Sequence, residues 1–197
     1  MEITHSIRIR NGSVLKDNSP ITADEVTHPD ELYRHIGSVY PKYFKMDILC
    51  KWAWLAAECL LTLSDSSLYN GLDKSKIAVV LATSQGCIEV DKKYKETIAT
   101  IPSPALFVYT LPNIMLGEIC IRHGFKGEQA CVVSEQFDSS ELQFWVNDLL
   151  EKRGMEACLC GWIDITTNTQ DILLLWVTGN NKNLVLSSAA LQQLYNS

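Results

Sequence analysis

Apolar residues along the chain form two kinds of pattern, and each kind predicts a different element. Apolar and polar positions alternate between residues 3 and 9, which predicts a half-buried strand, and Asn11-Gly12 predicts a turn into a second short strand or a loop. The uninterrupted apolar run at 77–82 predicts a strand in the interior of a sheet, and the mostly apolar segments 157–165 and 171–177 predict two further strands. Only a polar turn separates the last two segments, so we expect them to pair as an antiparallel hairpin.

Helical patterns fill the segments between these strands. Residues 46–63 are apolar on nearly every side and predict a buried helix, while 91–99 predict a polar helix and 31–35 a short one. The segment 105–123 is interrupted by Pro112-Asn113, where its helix is expected to begin. Residues 184–195 predict a short strand and a terminal helix.

A further strand joins the following helix through a tight turn. The Val-rich run from 131 predicts a strand, and apolar residues at 142, 145, 146, 149 and 150 predict an amphipathic helix. Asp138 and Glu141 have the spacing of a capping box, and Gly154 is placed to end the helix. Such a turn is where α/β proteins place a nucleophile or bind an anion, because unpaired N–H groups and the helix dipole favour negative charge. The order of the main elements is therefore β-α-β-α-β-α-β-β, which is typical of the α/β class.

Composition limits the kinds of partner that the chain is expected to have. The 197 residues, 47% of them hydrophobic and 20% charged, are enough for one globular domain, 1–197. A net charge of −6 without a Lys/Arg stripe gives no reason to expect nucleic acid or an anionic membrane as a partner. The N-terminus lacks the pattern of a signal peptide, and no apolar window reaches the length of a membrane span. We therefore expect a cytoplasmic protein.

Cysteines and histidines show no pattern of a metal site. The seven cysteines lie mostly within apolar runs, at positions 50, 59, 87, 120, 131, 158 and 160. We interpret them as buried free thiols in a reducing compartment. Cys158 and Cys160 would share one face of a strand, as a pair of metal ligands can, but the four histidines have no complementary spacing. The sequence predicts no metal and no cofactor.

The most specific segment is FVYTLPNIMLGEICIRHG (residues 107–124), which is followed by Gly127-Glu128 and by the strand-turn-helix. These residues resemble the N-terminal half of the β-ketoacyl-ACP synthases, or ketosynthases, of the thiolase-like fold. In that family the turn reads roughly Thr-Ala-Cys-x-Ser-Ser, and the cysteine carries the acyl chain as a thioester. Here Ser139 and Ser140 match the serine pair, and Phe137 stands in place of the cysteine.

The resemblance covers residues 41–177 and implies a fold and a loss of activity. It implies one thiolase-like half, with three layers and a five-stranded mixed sheet whose last strand is antiparallel to the others. Full-length members have a C-terminal half that supplies two histidines, or a histidine and an asparagine, and we expect this chain to lack that half. A benzyl side chain cannot form a thioester, so Phe137 at the nucleophile position predicts a protein without catalytic residues.

Other side chains are poorer candidates for the nucleophile. Cys87 and Cys131 are not at the predicted helix entry, and Ser139 or Ser140 would need a general base. His123 is the only histidine within the matched region, and we expect it in solvent at a helix end. The turn with the two serines is left as a candidate for holding an anion or a carbonyl oxygen.

The first functional hypothesis is a non-catalytic partner or accessory subunit in fatty-acid or polyketide-type acyl chain synthesis. Chain-length factors of type II polyketide systems also lack the cysteine, but they retain both halves. The resemblance implies a homodimer, or a heterodimer with a full-length ketosynthase, and contact with an acyl carrier protein. It places Phe107, Tyr109, Leu111, Pro112 and Asn113 at the dimer face or the acyl tunnel, although ordinary core packing explains each of them equally well.

Two other hypotheses are open at this point. One is a small acyltransferase or acyl-thioester-binding enzyme that uses another nucleophile. The other is an interaction module whose apolar surface is covered by a partner chain. A covalent acyl adduct would favour the enzyme, because neither the accessory subunit nor the interaction module needs a nucleophile.

Overall fold

One mixed sheet is the centre of the molecule. The computed structural model describes residues 1–62, 66–179 and 184–197, with the backbone alone at 184–185. Among these residues eight strands are formed: β1 (Glu2–Arg10), β2 (Ser13–Lys16), β3 (Ser19–Pro20), β4 (Ile77–Thr83), β5 (Gln129–Val133), β6 (Ala157–Ile165), β7 (Gln170–Thr178) and β8 (Leu184–Val185). Their order is β3-β2-β1-β7-β6-β4-β5, and β8 pairs with β1 outside this path.

The directions of the strands agree with the prediction, but their number does not. β4 is parallel to β5 and β6, whereas β7 is antiparallel to both β6 and β1. Within the five predicted strands, β7 therefore runs against the other four. The prediction of a five-stranded sheet was wrong. Strands β2 and β3 extend the sheet on the outer side of β1, and β8 also pairs with β1. These strands are only 4, 2 and 2 residues long, too short for alternation to be recognised.

Helices occupy the segments between the strands. They are α1 (Pro29–His35), α2 (Ile48–Leu61), α3 (Ile88–Ile98), α4 (Pro104–Val108), α5 (Ile114–His123), α6 (Ser139–Asn147) and α7 (Ser188–Asn196). Helix α2 falls within the predicted 46–63, whose last position lies outside the described residues. After α6 a π-helical turn, Asp148–Lys152, leads to Gly154, whose φ of 71° ends the helix as predicted.

Two helix starts differ from the prediction. Helix α3 begins at Ile88, ahead of the predicted 91–99, so that Cys87 becomes its N-cap residue. Helix α4 lies in a segment that we expected to be irregular before Pro112. It forms because Pro104 suits the first helical position and the Ser103 hydroxyl accepts a hydrogen bond from the Leu106 amide at 3.3 Å.

Each face of the sheet carries its own hydrophobic cluster. Along β4, Ile77, Val79 and Leu81 belong to one cluster, while Ala78 and Val80 belong to the other, as expected from the two-residue period of a strand. The first cluster includes buried side chains of α2 and α5, and the second includes those of α6 and α7. The molecule therefore has three layers, in the order helix, sheet, helix. Helix α6 follows the edge strand β5 in the chain.

Candidate functional site

The predicted elbow between β5 and α6 is formed. Strand β5 ends at Val133, Asp138 is the N-cap residue, and α6 begins at Ser139. The Asp138 carboxylate accepts hydrogen bonds from the amides of Ser140 and Glu141 at 2.8 and 3.0 Å. These amides belong to the unpaired donors of the first helical turn. An incoming anion at this turn would therefore compete with a carboxylate that already occupies it.

The side chain of Phe137 points into the core. Only 8% of its surface is exposed, and its ring stacks on Tyr195 of α7 with centroids 4.3 Å apart and planes 16° apart. The Trp162 ring meets it edge-on at 6.2 Å. Aromatic pairs in these arrangements add to the stabilisation from burial alone. Phe137 thus packs in the core of this chain.

A network of polar groups holds Tyr195 over Phe137. The Tyr195 hydroxyl donates to Asp171 Oδ2 at 2.5 Å, and the Trp162 indole N–H donates to the same oxygen at 3.1 Å. Arg10 donates to Asp171 Oδ1 from Nε and Nη2 at 2.8 and 2.6 Å, and its guanidinium lies 4.7 Å from the centre of the Tyr195 ring. Burial raises the pKa of Tyr195 to about 12, and the hydrogen bond to Asp171 acts in the same direction.

The space left beside the elbow is small. A cavity of about 10 Å³ is lined by residues of β4, β5 and α6, with Phe137 and Trp145 among them. This volume is at the lower limit for a single water molecule. Ser139 is half-buried and Ser140 is exposed. The cavity beside the turn with the two serines is therefore too small for an acyl chain.

Burial keeps the two candidate thiols protonated. Cys131 lies within β5, and burial raises its pKa to about 11. Cys87 was predicted to lie away from a helix entry, but it is the N-cap residue of α3. Burial, followed by the charges of Asp47 and Asp91, nevertheless raises its pKa to about 12. The helix dipole does not outweigh these effects, so neither thiol is a thiolate at neutral pH.

The expectation of a solvated His123 was wrong. Its side chain is 3% exposed, Nδ1 lies 3.1 Å from the Tyr69 hydroxyl, and Nε2 lies 3.6 Å from Glu58 Oε2. Burial lowers its pKa to about 4. Helix α5, which carries His123, packs on the opposite face of the sheet from α6, which carries Ser139. The sheet therefore separates this histidine from the two serines.

Several predicted interface residues lie on an exposed apolar surface around α4. We call Ile98, Ile101, Phe107, Val108 and Leu111 the α4 surface; Ile101 is 83% exposed, Phe107 53% and Leu111 51%. Exposed apolar groups this close together are typical of surfaces that bind a partner.

The remaining predicted interface residues lie next to the α4 surface. Tyr109 is half-buried, and its hydroxyl donates to Glu118 Oε1 at 3.3 Å, while burial raises its pKa. Pro112 is half-buried, and Asn113 is the exposed N-cap residue of α5. Phe107 and Leu111 are therefore open to a partner, whereas Tyr109 supports them from the interior.

Strand β5 is an open edge of the sheet. It hydrogen-bonds to β4 on one side, and no described strand pairs with its other side. Val133, its last residue, is 64% exposed, and Phe144 on the neighbouring helix α6 is 59% exposed. An edge with free N–H and C=O groups is a template for pairing with another strand, and natural edges are usually protected by charges, proline or a bulge.

Lysines surround a cavity of about 280 Å³ beside α4. Lys45, Lys51 and Lys93 line it together with apolar side chains of α3 and α4. Lys51 pairs with Asp30 at 2.9 Å, whereas Lys45 and Lys93 form no salt bridge with the described residues. The Asp47 carboxylate also lines the cavity, but the three lysines outnumber it, so the lining carries a net positive charge although the whole chain is acidic.

Sequence reasoning missed Tyr195, Trp162 and Asp171 as neighbours of the elbow. They come from α7, β6 and β7, so no local spacing relates them to Phe137. The described residues bring together no group of three or more His, Cys, Asp or Glu side chains placed to hold a metal. In the same part of the chain, no helix has the length and apolar character needed to cross a membrane.

No protein-family model and no curated protein matches this sequence. Solved structures do match its fold. The ishigamide ketosynthase/chain length factor aligns with a TM-score of 0.61 and 18% identity over 68% of this chain and 44% of the matched chain. A ketosynthase (ApeO) in complex with its chain length factor (ApeC) from Xenorhabdus doucetiae aligns with a TM-score of 0.66 and 12% identity. This alignment covers 99% of this chain and 90% of the matched chain. A third match is AntDE:AntF, a type II polyketide synthase acyl-carrier protein in complex with its ketosynthase bound to the hexaketide. It aligns with a TM-score of 0.63 and 12% identity, and the alignment covers 91% of this chain and 62% of the matched chain.

At such low identities the likeness establishes the fold. The chain shares the mixed α/β fold of these ketosynthase and chain length factor structures, which agrees with the fold class predicted from the sequence. It spans 44% of the first matched chain and 62% of the third. It spans 90% of the second, so that matched chain is only slightly longer than this one.

Proposed function

We propose that this chain is a non-catalytic, ketosynthase-like accessory subunit in polyketide-type or fatty-acid-type acyl chain synthesis. We further propose that residues 1–197 form one domain equivalent to the N-terminal half of a ketosynthase. The observation that carries the proposal is the buried Phe137 at the elbow of this fold, with Tyr195 stacked on its ring. Support also comes from solved structures of similar fold that contain a ketosynthase with its chain length factor. A cytoplasmic location stays a prediction.

The proposed pairing surface combines the edge of β5 with the α4 surface. A partner strand beside β5 would satisfy its free N–H and C=O groups and would cover Val133. Phe107 and Leu111 would be buried in the same contact, with Asn113 at its rim. The proposed partner is a full-length ketosynthase, or a second copy of this chain.

An acyl carrier protein is the second proposed partner. Its contact falls at the cavity lined by Lys45, Lys51 and Lys93, because a lining with a net positive charge complements an acidic partner surface. The cavity adjoins α4, so the two proposed contacts lie side by side. Raising the salt concentration is expected to weaken this contact more than the contact along β5.

The test of the non-catalytic role is an acyl-loading experiment. The purified chain is incubated with an acyl-carrier-protein thioester, and its intact mass is measured beside that of an active ketosynthase as positive control. We expect the ketosynthase to gain the acyl mass and this chain to gain none, since Cys87 and Cys131 are protonated thiols at neutral pH. An adduct on either cysteine, on Ser139 or on Ser140 would instead favour the acyltransferase.

The test of the accessory role is association. A tagged full-length ketosynthase encoded in the same genome is co-expressed with this chain, and the purified material is analysed by sedimentation velocity. Co-purification in a fixed ratio is expected. A ketosynthase that purifies alone, together with a chain that stays monomeric at micromolar concentration, would contradict the proposal.

A further inference from the structure

A cavity of about 410 Å³ lies apart from the elbow, the α4 surface and β5. It is lined by Lys16, Ile21, Ile36, Ser38, Val39, Glu58, Cys59, Thr62 and Arg122. We call it the Lys16 cavity. Its volume is within the range of roughly 300–1,000 Å³ that is typical of sites for small molecules. Nothing in the proposed pairing or acyl-carrier contacts uses these residues.

The cavity wall presents unused hydrogen-bond donors. The Lys16 ammonium donates to the carbonyls of Cys59 and Thr62 at 2.8 and 3.2 Å, near the C-terminal end of α2. An ammonium has three donors, so one is left. Arg122 donates to the Glu58 carboxylate from Nε at 3.0 Å and from Nη2, and its Nη1 has no hydrogen bond to the described residues. One N–H of Lys16 and the Nη1 group of Arg122 can therefore donate hydrogen bonds to a ligand.

Among the described residues that line this cavity, Lys16 is the charged side chain that forms no salt bridge. Glu58 is 6% exposed, and Arg122 holds its carboxylate through two hydrogen bonds. Their charges compensate each other in a pair that is already formed. Lys16 is held by neutral carbonyl groups and has no salt bridge to a described residue; the adjacent Asp17 carboxylate acts on its charge, but its oxygens bond to His5 and to the Ser6 amide. The cavity is therefore complementary to a single negative charge.

The rest of the wall is aliphatic. Ile21 and Ile36 are half-buried and pack against the hydrophobic cluster of α2 and α5. Val39 is 84% exposed and lies in the cavity wall. A ligand that pairs its charge with Lys16 can therefore place an alkyl chain against these three residues. A phosphate dianion fits less well, because it would bring two charges and no apolar part.

We propose that the Lys16 cavity binds a small aliphatic monocarboxylate. Its carboxylate accepts hydrogen bonds from Lys16 and Arg122, and its alkyl chain lies against Ile21, Ile36 and Val39. This proposal is independent of the accessory role, since the residues of the two surfaces do not overlap.

Titration of the full chain with octanoate tests the site. The methyl signals of Ile21, Ile36 and Val39 are followed by ¹³C-resolved NMR, with 1-octanol as the uncharged control. We expect saturable shifts at these methyl groups with octanoate, and binding of octanol roughly tenfold weaker or more, because it lacks the charge-assisted hydrogen bonds. Equal affinity for the two compounds, or shifts confined to Leu111 and Val108 of the α4 surface, would overturn the proposal.

Two variants separate the site from general apolar binding. Lys16→Met keeps the length of the side chain without the ammonium, and Val39→Asp adds a negative charge at an exposed position where folding is not at risk. Both are expected to weaken octanoate binding roughly tenfold or more, while Lys95→Met, at an exposed lysine of α3, leaves it unchanged. If Lys16→Met does not fold, Val39→Asp decides alone. Unchanged affinity in Val39→Asp excludes the site.

Discussion

The side chain at position 137 decides what the elbow can do. A thiol at a helix start is ionised by the unpaired amides and the dipole there. In this chain the amides of Ser140 and Glu141 are already paired with Asp138, and the ring of Phe137 contributes to the core beneath α7. The elbow of this chain therefore serves to anchor a terminal helix.

Replacing Phe137 tests this structural role. Phe137→Ala removes a buried ring and leaves a cavity, so we expect the free energy of unfolding to fall by about 3 kcal/mol. Phe144→Ala, on an exposed ring of the adjoining helix, is the matched control and is expected to change it by less than about 0.5 kcal/mol. Urea denaturation measures both. Similar losses in the two variants would show that Phe137 is not a core residue.

His123 provides a pH dependence with a defined sign. Its pKa is lowered from 6.5 to about 4 by burial, so the folded chain binds this proton less readily than the unfolded chain. Its contribution to stability is complete above the unfolded value of 6.5 and is lost as the pH falls towards 4, by at most about 3 kcal/mol.

Urea denaturation across this pH range measures the effect. His123→Gln is expected to be less stable at neutral pH but to lose less stability on acidification. His35→Gln, which changes an exposed histidine, should keep the wild-type pH dependence. If wild type and His123→Gln lose the same stability between pH 6.5 and 4, this assignment is wrong.

At the scale of elements, α7 acts as the cover of the elbow. It contributes Leu191 to the same cluster as Phe137, and its Tyr195 bonds to Asp171 on β7. Side-chain contacts link α7 to the elbow, because the two lie far apart along the chain. The stability of α7 therefore depends on tertiary packing more than on its own helical propensity.

Removing the Tyr195 side chain is expected to loosen this cover. Tyr195→Ala loses the ring stacked on Phe137 and the hydrogen bond to Asp171, which should cost about 2 kcal/mol and increase the binding of a hydrophobic dye. Gln193→Ala, at an exposed position of the same helix, is the control and is expected to behave as wild type. Increased dye binding in both variants would argue against a specific cover.

The elements that sequence predicted best are those with long, uniform patterns. β6 was predicted with its observed bounds, and β4 to within one residue, because long and almost wholly apolar segments have a direct cause in burial on both faces. β2, β3 and β8 are too short to show a period. His123 was misplaced because its burial depends on Glu58 and Tyr69, which come from other elements. The elbow was predicted from local capping, whereas its cover by Tyr195 required the tertiary fold.

At the scale of the whole molecule, the sheet is covered on both faces and ends in β3 on one side and in β5, the longer edge strand, on the other. The two clusters bury the faces, but the free side of β5 has no described partner strand. The α4 surface adds exposed apolar groups from Ile98 to Leu111. A monomer with these features would be prone to association, so the two open regions predict where a partner lies.

A charge on the open edge is the sharpest test of this arrangement. Val133→Lys places an ammonium on the last residue of β5, where 64% of the side chain is exposed, so the fold should be retained while strand pairing is opposed. We expect its dissociation constant from the ketosynthase to rise roughly tenfold or more in sedimentation velocity, since natural edges use lysine to prevent such pairing. Val39→Asp is the matched control, because it adds a charge at an exposed valine of the Lys16 cavity and should leave this association unchanged. Equal affinities of Val133→Lys and wild type, with circular dichroism confirming folded protein, would move the partner away from β5.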